Sequence, residues 1–589
     1  MYDVETNRDG QNYNPTQQDL GEYYLQPFKT CVRDVNVGSV MCAYNAVDGV
    51  PSCANEYLLQ DVLRDDYKFE EPYRYVTSDC GAVEDIYQPH NFTDSEAAAA
   101  AVALNAGTDT CCGSAYLLLN ESVANGWTTE AQMDTSLTRL YNALFTVGYF
   151  DGQPEYDGLS WSDVSTGSAQ TTAYQAAWEG MALLKNDGTL PLKTHYDSVA
   201  FIGPWADATG QMQGNYQGIA PYLNSPLIAA RNQWSNVQHE MGTAINSTNT
   251  TGFASAIAAA KTADVIIYLG GIDSSIENEG HDRTSLAWPG NQLDLIAQLS
   301  TLSKPLVVIQ FGGGQIDDTP LLQNPKVNSL LWAGYPGQDG GPALIDILVG
   351  KKSPAGRLPV TQYPADYINQ ISLFDPNLRP SPSSPGRTYK WLEYAPVLPF
   401  GHGLHYTPFK ASFASPPPQQ NRKFNIEDLV RPRHHPHPQK GNSTTTSTTN
   451  STTPTNDSTP FTTLPLRIHN TGNTTTSDYV ALLFLSSPDA GPLPRPKKSL
   501  VSYARLHDIE PGTSKEVELE LRLGALARAD ERGDLVVWPG GYEVWVDGNG
   551  DGDERVVWRF ELVGREVVLE ELVRKKGGYD YSVPVHPGV

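Results

Sequence analysis

Two apolar, β-branched runs that each empty into turn residues and acid constrain this chain more than any other feature. Tyr75-Val76-Thr77-Ser78-Asp79-Cys80 ends in a carboxylate and is followed by Gly81. Val265-Ile266-Ile267-Tyr268-Leu269 runs into Gly270-Gly271 and then into Glu277-Asn278-Glu279-Gly280-His281-Asp282-Arg283. Such runs read as strands of a parallel sheet, and strands of that kind present functional groups at their C-terminal ends. Two strand-end carboxylates from separate parts of one chain can divide nucleophilic and acid–base work between them.

The surrounding pattern predicts an α/β multidomain protein. Residues 1–150 alternate helix and strand: helical spacing over Gln17 to Val35, a strand over Val37 to Tyr44, a helix over Glu56 to Arg64, a strand over Arg74 to Asp79 and a helix over Ser95 to Asn105. Asp109 to Cys112 then follows the end of a third strand. This βα order is that of part of a (β/α)8 barrel, which when complete takes roughly 250 residues. A linker is expected over 151–175. Over 176–410 the apolar runs Val199 to Ile202, Val265 to Leu269, Leu306 to Phe311 and Val327 to Trp332 predict a second α/β domain. Residues 411–460, with Pro416-Pro417-Pro418, His434-His435-Pro436-His437 and a Ser/Thr/Asn tract, cannot bury enough apolar surface to offset chain entropy. Over 461–575, alternating strands such as Tyr479 to Leu485, Lys515 to Leu523 and Tyr542 to Val546 predict a β-sandwich of fibronectin type III kind.

Composition removes several functions. A net charge of −26 over 589 residues leaves no basic face for nucleic acid. No run of 18 apolar residues is present to span a membrane. Gly312-Gly313-Gly314 lacks the spacing of a dinucleotide loop. Asp547 to Asp553 lacks the distal Glu of a calcium loop and reads as a polar turn, and the histidine tract reads as solvated linker, so no metal or cofactor is expected. The six cysteines, Cys31, Cys42, Cys53, Cys80, Cys111 and Cys112, include no CxxC pair, and their clustering suits disulfides in an oxidising compartment. Sequons at Asn91, Asn120, Asn246, Asn249, Asn442, Asn450, Asn456 and Asn473 agree with that compartment.

Six segments in order are more specific still: Ser78-Asp79-Cys80, Ile202-Gly203-Pro204-Trp205, Gln211-Met212-Gln213-Gly214-Asn215-Tyr216, Glu279-Gly280-His281-Asp282-Arg283, Gly356-Arg357-Leu358-Pro359-Val360-Thr361 and Phe400-Gly401-His402-Gly403-Leu404. With them the chain resembles glycoside hydrolase family 3, and within it the fungal β-xylosidases, over nearly everything except 415–460. The resemblance implies that the first five or so barrel strands, a Lys-His sugar-binding pair and a signal peptide precede the stretch Tyr2-Asp3-Val4-Glu5. The chain is therefore expected to be N-terminally truncated relative to a secreted enzyme.

By the same resemblance Asp79 is the nucleophile, Arg8 binds sugar hydroxyls, and Tyr44, in Met41-Cys42-Ala43-Tyr44-Asn45, lies beside the nucleophile. Glu279 matches the acid/base, with Glu277 the alternative. Retention of configuration predicts carboxyl groups about 5–5.5 Å apart. A Cys80–Cys112 bridge would wall the pocket against a hexose hydroxymethyl group, with Cys111 leaving the pairing open; Cys42–Cys53 would be a second bridge. The implied activity is retaining exo-hydrolysis of 1,4-β-xylo-oligosaccharides. The alternatives are an α-L-arabinofuranosidase or dual-activity enzyme, and a catalytically impaired fragment.

Overall fold

The computed structural model describes residues 4–414, 416–431, 456–546, 555–579 and 581–586. The histidine tract, Asn442, Asn450 and Asp547 to Asp553 lie outside the described residues.

The first domain is an arc of parallel barrel wall. Strand Ser39–Cys42 pairs in parallel with Tyr75–Ser78, residue for residue from Ser39↔Tyr75 to Cys42↔Ser78. The third strand shrinks to a single parallel bridge, Thr77↔Thr110. The residue just before it is spent on side-chain anchoring: the buried Asp109 carboxylate accepts from Arg64 at 2.7 Å, Arg139 at 2.8 Å, Ser136 at 3.1 Å and the Val76 amide at 2.8 Å. Four donors satisfy a charge that would otherwise be costly to bury.

Helix Glu96–Ala106 is apolar all round and buried all round. Ser95 caps it, accepting from the Ala98 amide at 3.2 Å, and Gly107 ends it at φ 110°. The helical stretch from Gln17 to Asp34 is not uniform. Its turns widen around Leu20–Tyr24 and Thr30–Asp34, where the Leu25 and Val35 amides reach back five residues to Leu20 and Thr30 at 3.0 Å. Pro27, which has no N–H to donate, stands between the two widened turns.

The middle domain is a six-stranded sheet in the order Ala182–Asn186, Ser329–Gly334, Leu306–Phe311, Val265–Gly271, Val199–Ile202, Val237–Glu240. All pairs are parallel except the antiparallel edge at Ala182–Asn186. Helices cover both faces, so Val265–Gly271 and Leu306–Phe311 are buried along their whole length. The chain leaves Val199–Ile202 in one direction and returns to Val265–Gly271 on its other side. That reversal makes a crevice above the carboxyl ends of these two strands, the usual ligand position in open α/β sheets.

The β-sandwich takes in strands from both sides of the polar tract. Phe409–Phe413 pairs with Pro460–Asn470, and Arg422–Asn425 pairs with Val556–Val563. After the last strand, Val567–Glu570, the chain returns to the barrel domain. There Tyr57 donates to the Val573 carbonyl at 2.9 Å, Tyr579 to Asp61 at 2.7 Å, and Thr93 bridges Val585. Arg379 of the middle domain pairs with Asp19 and, at 2.7 Å, with Glu22. The three domains are thus joined by charge as well as by chain.

Candidate active site

Asp79 stands one residue past the strand that the sequence pattern marks. Its amide donates to the Cys42 carbonyl at 3.0 Å, so the parallel register carries it to the rim. There Gly81, at φ 89°, turns the chain back, and the Cys80 amide donates to Asp79 Oδ1 at 2.7 Å. Tyr44 lies two residues beyond the partner strand. Its hydroxyl donates to the Cys80 carbonyl at 3.0 Å and lies within hydrogen-bonding reach of Asp79. Burial and that carboxylate push the phenol up to about 12, which keeps Tyr44 a proton donor. Arg8 lies over the Tyr44 ring, 4.6 Å from its centroid.

The facing rim comes from the crevice of the middle domain. Asn278 and His281 exchange both backbone hydrogen bonds at 3.1 Å, which closes a hairpin with Glu279 and Gly280 at its tip. Gly280, at φ 76°, takes the second turn position, where a type II turn requires a left-handed residue. The tip is docked on the barrel domain: Gly280 donates to Glu5 at 2.8 Å, and Asp282 accepts from the Glu5 and Thr6 amides at 3.0 and 2.7 Å. Glu279 Oε1 accepts from Arg8 at 2.8 Å. An unbroken chain of contacts therefore runs from Asp79 through Tyr44 and Arg8 to Glu279.

The charges around Glu279 favour its ionised form. The nearby Tyr216 hydroxyl and the Arg8 guanidinium, which donates to it at 2.8 Å, hold it below the ordinary carboxylate range. Burial opposes the charge on Arg8, but its hydrogen bond to Glu279 and the neighbouring Glu5 carboxylate outweigh it and raise that group further. On the barrel side, Asp85 is pushed up to about 7, by burial first and then by the carboxylates of Asp9 and Glu84.

Glu277 occupies a different place. Its carboxylate pairs with Arg283 at 3.0 Å and accepts from the Gly314 amide at 2.9 Å. It braces the base of the hairpin within the middle domain. Cys80 is bonded to Cys112 and Cys42 to Cys53, which leaves Cys31 exposed and Cys111 half-buried as thiols. The Cys112 amide donates to Ser78 Oγ at 2.9 Å and the Gly81 amide to the Cys112 carbonyl at 2.8 Å, so the first bridge is seated beside Asp79. Asn91, Asn120, Asn246, Asn249 and Asn473 are exposed, and Asn456 is half-buried.

Two residues of the site carried no assigned role in the sequence. Tyr216 lies in the Gln211 to Tyr216 segment, and only the crevice brings it to Glu279. Asp85 reads as a first-turn helix residue, and its burial is a property of the fold. Among the described residues, Glu179, Asp478 and His507 approach closely enough to hold a cation. Arg505 already lies 2.8 Å from Asp478 and 3.5 Å from Glu179, so a guanidinium occupies that charge cluster.

Comparison with known proteins agrees with this layout. Residues 2–143 match the glycosyl hydrolase family 3 N terminal domain, residues 181–406 its C-terminal domain and residues 479–549 the fibronectin type III-like domain. A probable exo-1,4-beta-xylosidase of Aspergillus fumigatus is 51% identical over 566 residues, 95% of this chain and 70% of that protein. One of Neosartorya fischeri is 50% identical with the same coverage. Among solved structures, a GH3 exo-beta-xylosidase in complex with a xylobiose aziridine activity-based probe superposes with a TM-score of 0.87 at 45% identity, covering 96% of this chain and 70% of that one. A β-glucosidase of Erythrobacter marinus follows at 0.76 and 26%, covering 94% and 71%. Domain order, sequence identity and superposition agree: the chain belongs to glycosyl hydrolase family 3.

Proposed function

We propose that this chain acts as a retaining exo-β-xylosidase, releasing xylose from the non-reducing ends of 1,4-β-xylo-oligosaccharides, with Asp79 as nucleophile and Glu279 as acid/base. The observation that carries this reading is the Asp79–Tyr44–Arg8–Glu279 chain of contacts, which faces two carboxylates across a domain boundary. The relatives named as exo-1,4-beta-xylosidases support the substrate class.

In the first step an Asp79 oxygen bonds to the anomeric carbon as the glycosidic C–O bond breaks, and Glu279, protonated once the bound sugar takes over the donors that otherwise hold it ionised, gives that proton to the leaving oxygen. In the second, Glu279 takes a proton from water, whose oxygen bonds to the anomeric carbon and frees Asp79. The proton lost in step one is thereby restored. Arg8 and Tyr44 donate to the bound sugar's hydroxyls or to Asp79 while this happens. The Cys80–Cys112 bridge beside Asp79 narrows the pocket to a pentose by a steric obstacle rather than by an added attraction. Two disulfides and exposed sequons support secretion to an oxidising compartment.

The test is chromophore release from an aryl β-D-xyloside, run beside the aryl α-L-arabinofuranoside, with Asp79→Asn as the blank. Xyloside hydrolysis that vanishes in the variant supports the reading. Hydrolysis that survives in Asp79→Asn, or that favours the arabinofuranoside, overturns it.

A further inference from the structure

We infer that Glu5 is the positioning residue of the acid/base. Its carboxylate shares the Arg8 guanidinium with Glu279 and keeps it when substrate arrives, which frees Glu279 to carry the proton for the leaving oxygen. The inference deepens the function proposed above and rests on it.

The local backbone brings Glu5 and Arg8 together. The Arg8 amide donates to the Glu5 carbonyl at 3.3 Å, and Asn7, left-handed at φ 54°, takes the turn position that Asn tolerates. Glu5 Oε2 then accepts from Arg8 Nη1 at 3.0 Å and from the Gly280 amide at 2.8 Å. The Glu5 amide donates to Asp282 at 3.0 Å. Arg8 Nη2 donates to Glu279 Oε1 at 2.8 Å. The rigid fork of one guanidinium thus spans two carboxylates, and Gly280, next in the chain to Glu279, is tied to one of them. The two carboxylates are not equivalent. Glu5 sits on Arg8's own turn and has a second donor across the domain boundary. Glu279 is the more exposed, at 38% against 30% for the side chain, and is the one an incoming sugar hydroxyl can displace from Arg8.

Charge separates their roles further. The groups facing this point are Arg8 and Asp9 on Glu5's own turn, Tyr44 and Asp79 on the barrel rim, Tyr216 from the loop after Val199–Ile202, and Glu279, His281 and Asp282 on the hairpin. Among these groups Arg8 carries the permanent positive charge. Two carboxylates on one cation repel each other, so an ionised Glu5 makes Glu279 the easier of the two to protonate. Without the Glu5 charge, Arg8 would be left with Glu279 and, at 3.6 Å, Asp9. It would grip Glu279 more firmly, and a like charge beside Glu279 would be gone. Both changes favour the ionised form, which has no proton to give.

The experiment compares Glu5→Gln and Glu5→Ala in the full chain on xylobiose and on β-xylosyl fluoride, whose leaving group needs no proton. Glu5→Gln keeps an acceptor for the Gly280 amide and removes only the charge. It is expected to move the basic limb of the kcat/KM profile on xylobiose to lower pH by about half a pH unit, a roughly threefold loss on that limb after solvent screening, and to leave the fluoride unchanged. A merely structural residue would not move that limb for one substrate alone. Glu5→Ala also releases the hairpin tip, and is expected to lower kcat/KM on xylobiose by about 10²-fold and on the fluoride by less than about threefold. A basic limb that stays in place in Glu5→Gln, or equal losses on both substrates in either variant, overturns the inference and leaves the proposed function standing. Where Glu5→Ala does not fold, Glu5→Gln decides by the same criterion. No hydrolysis of xylobiose by the unsubstituted chain overturns the proposed function and this inference together.

Discussion

Arg8 and Glu279, 271 residues apart in the chain, meet at 2.8 Å across the junction of the barrel and middle domains. The contact is made by a side chain that also lies over the ring of Tyr44, itself in reach of Asp79. Neither domain alone contains both carboxylates. Their relation depends on how the hairpin tip is docked, and Glu5 and Asp282 do that docking.

Glu279 and Glu277 should separate cleanly by mutation. Glu279→Gln is expected to lower kcat/KM on xylobiose by about 10²–10⁴-fold, and far less on substrates with activated leaving groups. Glu277→Gln breaks a part-buried pair with Arg283 and should lower stability by about 1–3 kcal/mol. Steady-state kinetics on two leaving groups and a denaturant titration of each variant check this. A larger kinetic loss in Glu277→Gln would reverse the assignment.

The Cys80–Cys112 bridge has two separable consequences. Replacing both cysteines with Ala is expected to cost about 2–4 kcal/mol of stability. It should also raise the ratio of aryl β-glucoside to aryl β-xyloside hydrolysis by about tenfold, because the obstacle to a hydroxymethyl group is gone. An unchanged ratio in a folded variant would remove the bridge from the account of specificity.

Asp318, in the middle domain, is fully buried between the Trp288 indole N–H at 2.9 Å and the Gln362 amide at 2.7 Å. Burial raises its carboxyl to about 7 in spite of those donors. The folded state therefore holds a proton that the unfolded state has lost once pH passes the ordinary value of 3.8. Stability falls as pH climbs from about 4 to about 7 and levels off above, a contribution on the order of 2–4 kcal/mol. Unfolding midpoints across that range should slope downward, and Asp318→Asn should flatten the slope. An equally steep slope in the variant would assign the effect to other groups.

Asp109 tests the barrel wall. Asp109→Ala leaves the buried Arg64 guanidinium and the Val76 amide without their shared acceptor. The expected cost is about 3–5 kcal/mol, read as a lower denaturation midpoint. A change below 1 kcal/mol would show that water or another acceptor replaces the carboxylate.

The strands that carry the site were legible because their chemistry is local. Tyr75 to Ser78 and Val265 to Gly271 are β-branched and apolar, and each stops at residues that cannot continue a buried strand. The ordered motifs did the same for the family. The helical stretch after Gln17 was legible as helix, but its widened turns were not. They are a matter of backbone pairing that residue types alone do not mark, as in Tyr57–Asp66, where the turns widen with no proline present. Strand spacing likewise suggested a third strand before Cys112, where the fold spends the segment on the Asp109 clamp.

By itself, then, the sequence determined the family, the order of the domains and the two loops that carry the candidate carboxylates. Those features are written in periodicity, turn residues and motif order, all of which are short-range. Tertiary structure decided which glutamate faces the barrel, which cysteine joins Cys80, and that Tyr216 stands beside Glu279. Glu277 and Glu279 differ by two positions on one hairpin, and no local rule separates them. Arg283 claims one and Arg8 the other only once the sheet reversal and the docked tip have set two domains against each other.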